Sequence, residues 1–160
     1  MVANTIVTKT GTGQAVWMLG GRYTVRVSSE DSGGELTVME MELPAGSGPP
    51  PHTHPGGETV YIAEGTVRYH IGDQTFDAGP GDVIHIPAGT VENFEPTSKS
   101  RVIITYTPGG IDKYFLEVGE SAPEAGLPPT PEGPPSPKFL ERMAVVGARY
   151  GLDIKLGGSP

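Results

Sequence analysis

Short apolar runs alternate with turn-forming residues between positions 14 and 107, which is the pattern of successive β-strands. In residues 35–43 the odd positions are mostly apolar, and two of the even positions are glutamates. A two-residue period of this kind predicts a strand with one buried and one exposed face. Nine runs with β-branched or aromatic content follow one another in this way, so the sequence predicts an all-β fold.

The pattern changes after Pro108. Apolar residues in 111–118 recur at helical spacing and predict a short helix. Residues 121–137 contain seven prolines and few apolar residues, and this composition predicts an extended, loosely ordered connection. A second amphipathic helix follows, with Ser136 as its N-cap and Gly151 as its stop signal.

These changes in hydrophobic pattern and composition predict the organisation of the 160-residue chain. Residues 1–120 should form one β-barrel body, whose length is sufficient for a sizeable core. Residues 121–137 should connect this body to a C-terminal helix and tail, residues 138–160, which should pack on the barrel. The 24 glycines and 17 prolines agree with many short strands joined by turns.

Charge and composition exclude several classes of function. A net charge of −8 and an isoelectric point of about 4.9 argue against nucleic acid or an anionic membrane as a partner. Cysteine is absent, so any metal must be held by histidine and carboxylate. The first ten residues lack the apolar run of a signal peptide, and no stretch is long enough to span a bilayer, so we expect a soluble cytoplasmic protein.

One stretch, PPPHTHPGGETVYIAEG, concentrates candidate chemistry. His52 and His54 should point the same way in a strand, because side chains at i and i+2 share a face. Glu58 has the same parity if the strand remains regular. Two imidazoles and one carboxylate suit a divalent ion such as Fe, Mn, Ni, Co or Zn and leave positions open for other ligands. The alternative is an exposed loop with two solvated histidines.

The surroundings of this stretch resemble the first characteristic motif of the cupin superfamily. The match runs from Gly46 through His52-x-His54 and Glu58 to Gly65 with the family's spacing. After fifteen intervening residues, 66–80, Gly81 and the Pro87-x-Gly89 element resemble the second motif. Together the motifs cover residues 35–107, and the helical tail resembles that of small single-domain, quercetin-dioxygenase-like cupins.

The resemblance implies a double-stranded β-helix, or cupin jelly roll, with short C-terminal helices. It also implies one divalent transition metal per chain, held by His52, His54 and Glu58. The family's second motif usually supplies a third histidine, but this chain has Glu92 at that position. Four residues further, where asparagine is common, stands Pro96.

Three interpretations of Glu92 stay open. It is a fourth ligand, in a site of two histidines and two carboxylates. It is a general base beside the metal, with a pKa set by burial and by the charge of the ion. Or the site is degenerate and holds no metal. Glu58 and Glu92 are therefore candidates for both catalysis and metal binding.

The remaining histidines are predicted to lie outside the site. His85 has the opposite parity to Ile84 and Ile86, and His70 shares a face with Arg68. The same parity predicts an apolar lining for the site. The residues expected to surround the metal and bind substrate are Met41, Val60, Ile62, Ile84, Ile86 and Phe94, with Tyr106, Tyr114 or Phe115 at the rim.

An apolar cavity with one polar end suits an aromatic or otherwise hydrophobic small molecule. The resemblance favours a metal-dependent dioxygenase. A non-redox lyase, isomerase or cyclase with Glu92 as acid and base is the second hypothesis, and a non-catalytic ligand-binding cupin is the third. We expect a homodimer, from family habit and because exposed strand edges need cover.

Overall fold

A computed structural model describes residues 4–157 of the chain. Residues 1–3 and 158–160, the ends of the predicted barrel body and of the predicted tail, lie outside the described residues. The elements in chain order are β1 (Gln14–Met18), β2 (Gly21–Val27), β3 (Thr37–Leu43), β4 (His52–Thr53), β5 (Gly57–Glu64), β6 (Val67–Ile71), β7 (Gln74–Ala78), β8 (Val83–Ile86), β9 (Glu92–Pro96), β10 (Ser100–Thr107), α1 (Ile111–Val118), β11 (Glu120–Ser121), α2 (Pro137–Arg149) and β12 (Asp153–Ile154).

The strands form two antiparallel sheets. Seven strands pair in the order β11-β1-β2-β3-β10-β5-β8, and five pair in the order β12-β4-β9-β6-β7. The inner faces of both sheets supply one apolar core, which confirms the predicted all-β jelly roll with two short helices. Among the described residues, no helix is long and apolar enough to cross a membrane.

β3 shows why the two-residue period places the core. Its burial alternates without a break from Thr37 to Leu43, and Met39 and Leu43 are fully buried. Its half-buried residues Glu40 and Glu42 face outward, as the sequence predicts. Each large aliphatic side chain that is removed from water contributes about 1.5–3 kcal/mol to folding, so this alternation fixes which face of the strand packs inward.

Gly65 ends β5 where no other residue fits easily. Its φ of 79° lies in the left-handed region, and a Cβ there would lie 2.3 Å from the carbonyl oxygen of Lys99. The last glycine of the first motif is therefore required by a tight turn and a close backbone approach.

The two predicted helices are confirmed. α1 buries Ile111, Tyr114, Phe115 and Val118 on one face. α2 begins where the sequence predicts, because the Ser136 hydroxyl accepts a 3.1 Å hydrogen bond from the backbone N–H of Phe139. A cap of this kind stabilises a helix by about 1 kcal/mol.

The start of the proline-rich connection accepts hydrogen bonds from side chains of β1 and β2. The Arg22 guanidinium donates hydrogen bonds to the backbone carbonyls of Pro123 (2.8 Å), Glu124 (2.9 Å) and Gly126 (3.3 Å). The Trp17 indole donates a further bond to Gly126. Long-range side-chain donors thus satisfy carbonyls that the local sequence leaves unpaired, and the expectation of a loosely ordered connection stays a prediction.

Candidate metal centre

The four candidate donors come from three strands and the loop between two of them. β4 supplies His52, the residue after Thr53 is His54, β5 supplies Glu58, and β9 begins with Glu92. His52 and Glu92 are directly paired across β4 and β9 in the five-stranded sheet, whereas Glu58 belongs to the seven-stranded sheet. The donor cluster therefore lies between the two sheets.

All four side chains are buried, and their donor atoms are close together. The two histidine Nε2 atoms are 3.0 Å apart, and His54 Nε2 lies 2.9 Å from Glu58 Oε2. Glu92 Oε1 lies 3.3 Å from His52 Nε2 and 3.7 Å from His54 Nε2. His52, His54 and Glu92 form the compact group, with donor atoms all within 4.8 Å of one another, and Glu58 adjoins it through His54.

These spacings fit a divalent ion. Ligand bonds of about 2.1 Å place neighbouring donors about 3.0 Å apart in an octahedron and about 3.4 Å apart in a tetrahedron. Glu92 Oε2 is buried without a hydrogen-bond partner, and Glu58 Oε2 is buried beside His54 Nε2 but forms no hydrogen bond of good geometry. A buried carboxylate oxygen is costly unless a cation or a proton satisfies it. His52, His54 and Glu92, with Glu58 beside them, could therefore hold a metal ion.

The backbone before the first strand of the site orients His52 as a ligand. Its Nδ1 lies 2.9 Å from the carbonyl oxygen of Pro50, so Nδ1 must carry the proton and donate to that oxygen. The other nitrogen, Nε2, points into the cluster, where its lone pair would be available to a metal ion. A backbone carbonyl that fixes the imidazole tautomer in this way is typical of metal-binding histidines.

Burial shifts the pKa values of all four groups. It raises the pKa of Glu58 to about 7 despite opposing contributions from Glu92 and His52, and it raises the pKa of Glu92 to about 7, helped by the charge of Glu58. Burial and the neighbouring His52 lower the pKa of His54 to about 4. Burial alone would lower the pKa of His52, but its hydrogen bond to Glu92 and the Glu92 charge outweigh burial and raise it. Without a cation, burial therefore favours the neutral forms of Glu58, Glu92 and His54, whereas the Glu92 carboxylate favours the protonated form of His52.

A narrow cavity of about 40 Å³ adjoins the donors and has room for about three water molecules. Its walls are mostly apolar. Of the predicted lining, five residues line this cavity: Met41, Phe94, Tyr106, Tyr114 and Phe115. Tyr106 packs beside the metal candidates, with its ring centroid 5.2 Å from that of His54.

The other four residues of the predicted lining are not among the residues that line this cavity, and their role in substrate binding stays a prediction. Val60, Ile62, Ile84 and Ile86 are buried in the core and do not line the cavity. Parity identifies the face of a strand, but it does not give the depth along the barrel at which a side chain lies.

Several lining residues were not predicted. The C-terminal segment contributes Met143, Leu152 and Ile154, and its strand β12 pairs with β4 so that Ile154 lies opposite His52. The backbone N–H of Lys155 also donates to the carbonyl of Pro51. Residues 137–157, which we call the cap, therefore cover the cavity beside the metal candidates. The apolar stripe of α2 signals a buried face but does not say what that face covers.

The two remaining histidines lie outside the site. His85 is exposed, as predicted, and its Nδ1 lies 3.0 Å from the hydroxyl of Thr59. His70 is half-buried and pairs with the hydroxyl of Thr75. Neither belongs to the donor cluster.

The comparison with known families agrees with this geometry. A family model described as the cupin domain matches residues 39–108. These residues form a cupin domain. The matched span includes all four donors, and the sequence-based prediction of the family is confirmed.

Known relatives of this cupin have different activities. The chain is 26% identical over 100 residues to quercetin 2,3-dioxygenase of Bacillus subtilis (strain 168), a match that covers 61% of this chain but only 30% of that enzyme. Among solved structures, KdgF from Halomonas sp. superposes with a TM-score of 0.58 at 16% identity, over 68% of this chain and 99% of that protein.

A second solved relative is a manganese protein. The Bacillus subtilis oxalate decarboxylase, which has Mn(II) centres, superposes with a TM-score of 0.61 at 20% identity, over 69% of this chain and 31% of that protein. At these levels of identity, the solved structures support the jelly-roll fold.

Proposed function

We propose that this cupin is a metal-dependent enzyme that acts on an aromatic or otherwise hydrophobic small molecule, and that it is a dioxygenase-type oxidoreductase. One observation carries the proposal. Four buried acid and base groups converge at one end of a cavity whose other walls are apolar. Buried carboxylates without cationic side-chain partners are expensive, and they are common where a protein binds metal or moves protons.

The donor set supports one divalent transition metal per chain, namely Fe, Mn, Ni, Co or Zn. A bound ion of this kind would supply Lewis acidity and, for a redox-active metal, access to O₂ chemistry. His52 and His54 would hold it with Glu58, and Glu92 would complete the set or stand beside it.

The two oxygens of Glu92 are placed for different tasks. Oε1 faces both histidines, whereas Oε2 is buried and has no hydrogen-bond partner. Oε2 could therefore accept the proton of a phenolic or enolic substrate hydroxyl. A carboxylate with a pKa near 7 is suited to that exchange at neutral pH. Glu58 is the other candidate base, because one of its oxygens also lacks a partner.

The apolar walls support the substrate class. Met41, Phe94, Tyr106 and Phe115 surround the space beside the donors. A space of about 40 Å³ does not admit an aromatic ring, so binding requires the cap to shift. The similarity of this chain to quercetin 2,3-dioxygenase supports an aromatic substrate and O₂ as co-substrate.

Glu92 favours a second candidate, a non-redox lyase, isomerase or cyclase. A second carboxylate neutralises a divalent ion and adds a group that can give and take protons. In this reaction class the residue would act as acid and base while the metal polarises a carbonyl. The likeness to a decarboxylase fold shows that non-oxygenase chemistry occurs on this scaffold.

Metal analysis followed by oxygen measurement tests the proposal. Protein purified without chelator should contain about one divalent transition metal per chain. A flavonol or other polyphenol should then cause O₂ uptake that requires the metal. Turnover without O₂ would support the second candidate, and ligand binding by metal-free protein without turnover would support a binding protein. A homodimer and a cytoplasmic location also remain predictions.

A further inference from the structure

The hydroxyl of Tyr114 is a buried polar group that belongs neither to the donor cluster nor to any hydrogen bond of the fold. Tyr114 lies on the buried face of α1 and is only 2% exposed. Within residues 4–157, four buried side-chain atoms have no hydrogen-bond partner: Arg26 Nε, Glu58 Oε2, Glu92 Oε2 and the Tyr114 hydroxyl. The last three belong to residues that line the same cavity.

The side chains packed around the Tyr114 ring do not provide a hydrogen-bond partner for its hydroxyl. Its ring packs edge-on against Phe115, with centroids 5.3 Å apart. The ring of Tyr23 stacks on that of Phe115. Burial raises the pKa of Tyr114, so the group remains a phenol with an O–H to donate. A buried hydroxyl without a partner destabilises the ligand-free fold, whereas phenylalanine would fill the same space without that cost.

We propose that the Tyr114 hydroxyl donates a hydrogen bond to the substrate, and that the substrate is a small aromatic molecule with an oxygen acceptor, such as a carbonyl, besides the oxygen that reaches the metal. This inference rests on the proposed function and deepens it by naming a second polar feature of the substrate. The cavity then has two recognition points, the donor cluster and Tyr114, joined by apolar walls.

Such a role distinguishes Tyr114 from the phenol of Tyr150. The Tyr150 hydroxyl donates a 2.8 Å hydrogen bond to Glu117, and Tyr150 lines a separate cavity, not the one that Tyr114 shares with Glu58 and Glu92. Removing a satisfied hydroxyl should lower stability, and removing an unsatisfied one should not. Tyr150→Phe is therefore a matched control for Tyr114→Phe.

The first measurement is thermal unfolding of the metal-free variants. Tyr114→Phe should unfold at the wild-type temperature or above it, and Tyr150→Phe should unfold below it. A clear drop for Tyr114→Phe would show that its hydroxyl has a structural partner, such as a buried water, and would overturn the proposal.

The second measurement is calorimetric binding of two catechols to Zn(II)-loaded protein under nitrogen. 3,4-Dihydroxyacetophenone carries a carbonyl acceptor, and 4-ethylcatechol has a similar shape without one. Tyr114→Phe should weaken binding of the ketone about five- to tenfold, the worth of one hydrogen bond, and should change binding of 4-ethylcatechol less than about twofold.

The remaining outcomes overturn the proposal. Equal weakening of both ligands would indicate a change of shape, and unchanged affinities would show that the hydroxyl contacts neither. Failure of both catechols to bind wild-type Zn(II) protein would refute the substrate class. Zinc content, measured separately, tells a failed metal centre from a failed role for Tyr114.

Discussion

The carboxylates inside the barrel and the carboxylate of Glu40 on its outer wall have different partners. On the outer face of the seven-stranded sheet, Glu40 is flanked by Arg26 at 3.0 Å and Arg101 at 3.1 Å. Inside, Glu58 and Glu92 lie beside histidines and beside each other. Arginine side chains therefore neutralise the outer carboxylate, whereas within residues 4–157 no lysine or arginine pairs with either inner carboxylate.

This difference shows which partners offset the charge of each group. Two guanidinium groups lie against the outer carboxylate. The inner carboxylates are desolvated, and burial raises both of their pKa values to about 7. A divalent cation would keep both ionised, which is why we expect the inner cluster, and not the outer one, to depend on metal.

Loss of a histidine from the inner cluster should have the largest effect. His54→Ala should lower metal affinity on the order of 100-fold or more, because it removes a donor adjacent to His52, Glu58 and Glu92. Metal content after dialysis measures the loss, and circular dichroism should show an unchanged fold. His85→Ala, which removes an exposed histidine, is the control and should retain the metal. Full retention of metal by His54→Ala would refute the assignment.

Glu92→Gln tests whether Glu92 is a ligand or a base while it keeps the size of the side chain. If Glu92 is a ligand, metal affinity should fall about 10- to 100-fold; if it is a base, metal should stay and turnover should drop. Metal titration with and without substrate separates the two results.

Glu92→His would restore the usual set of three histidines and one glutamate and should bind metal at least as well as wild type. A Glu92→Gln protein with unchanged metal content, stability and activity would mean that Glu92 has no role.

The pH dependence of metal binding should follow the inner carboxylates. Below about pH 7, Glu58 and Glu92 bind protons in the metal-free fold, and a metal ion must displace them. Affinity for Mn(II) should therefore rise about tenfold or more per pH unit between pH 5.5 and 7 and then flatten.

In metal-free protein the same two raised pKa values have the opposite effect, because they stabilise the fold at low pH and not at high pH. The contribution of these carboxyls to stability is present below pH 4.5 and is lost as the pH rises to about 7. Unfolding temperatures with and without Mn(II) should thus diverge as the pH rises. Curves that stay parallel from pH 5.5 to 8 would contradict the proposed coupling.

Neutralising the outer carboxylate should have the smallest effect. Glu40→Gln removes ion pairs with two arginines that are only partly shielded from water, and it should cost less than about 1 kcal/mol of unfolding free energy. Denaturant midpoints measure this cost, and metal content should match that of wild type. Metal loss in this variant would show that metal binding depends on the outer carboxylate as well, and would contradict the proposed difference between the outer and inner carboxylates.

Much of the site could be predicted from local spacing. Strand parity indicated His52, His54 and Glu58, and the resemblance to the second cupin motif indicated Glu92; the structure brings these four donors together. Strand parity placed Met41 and Phe94 on the inner face, and helical spacing with Ser136 predicted α2. These features depend on neighbours within a few residues, which the sequence displays directly.

The tertiary structure alone decided the depth of each side chain and the identity of its distant neighbours. Ile62 and Ile84 share the predicted inward face but lie in the core away from the cavity, because sheet pairing sets position along the barrel. Ile154 lies opposite His52 although a hundred residues separate them, and α1 leaves the Tyr114 hydroxyl without a partner. Periodicity specifies a face, whereas register and packing between distant segments specify where that face meets the site.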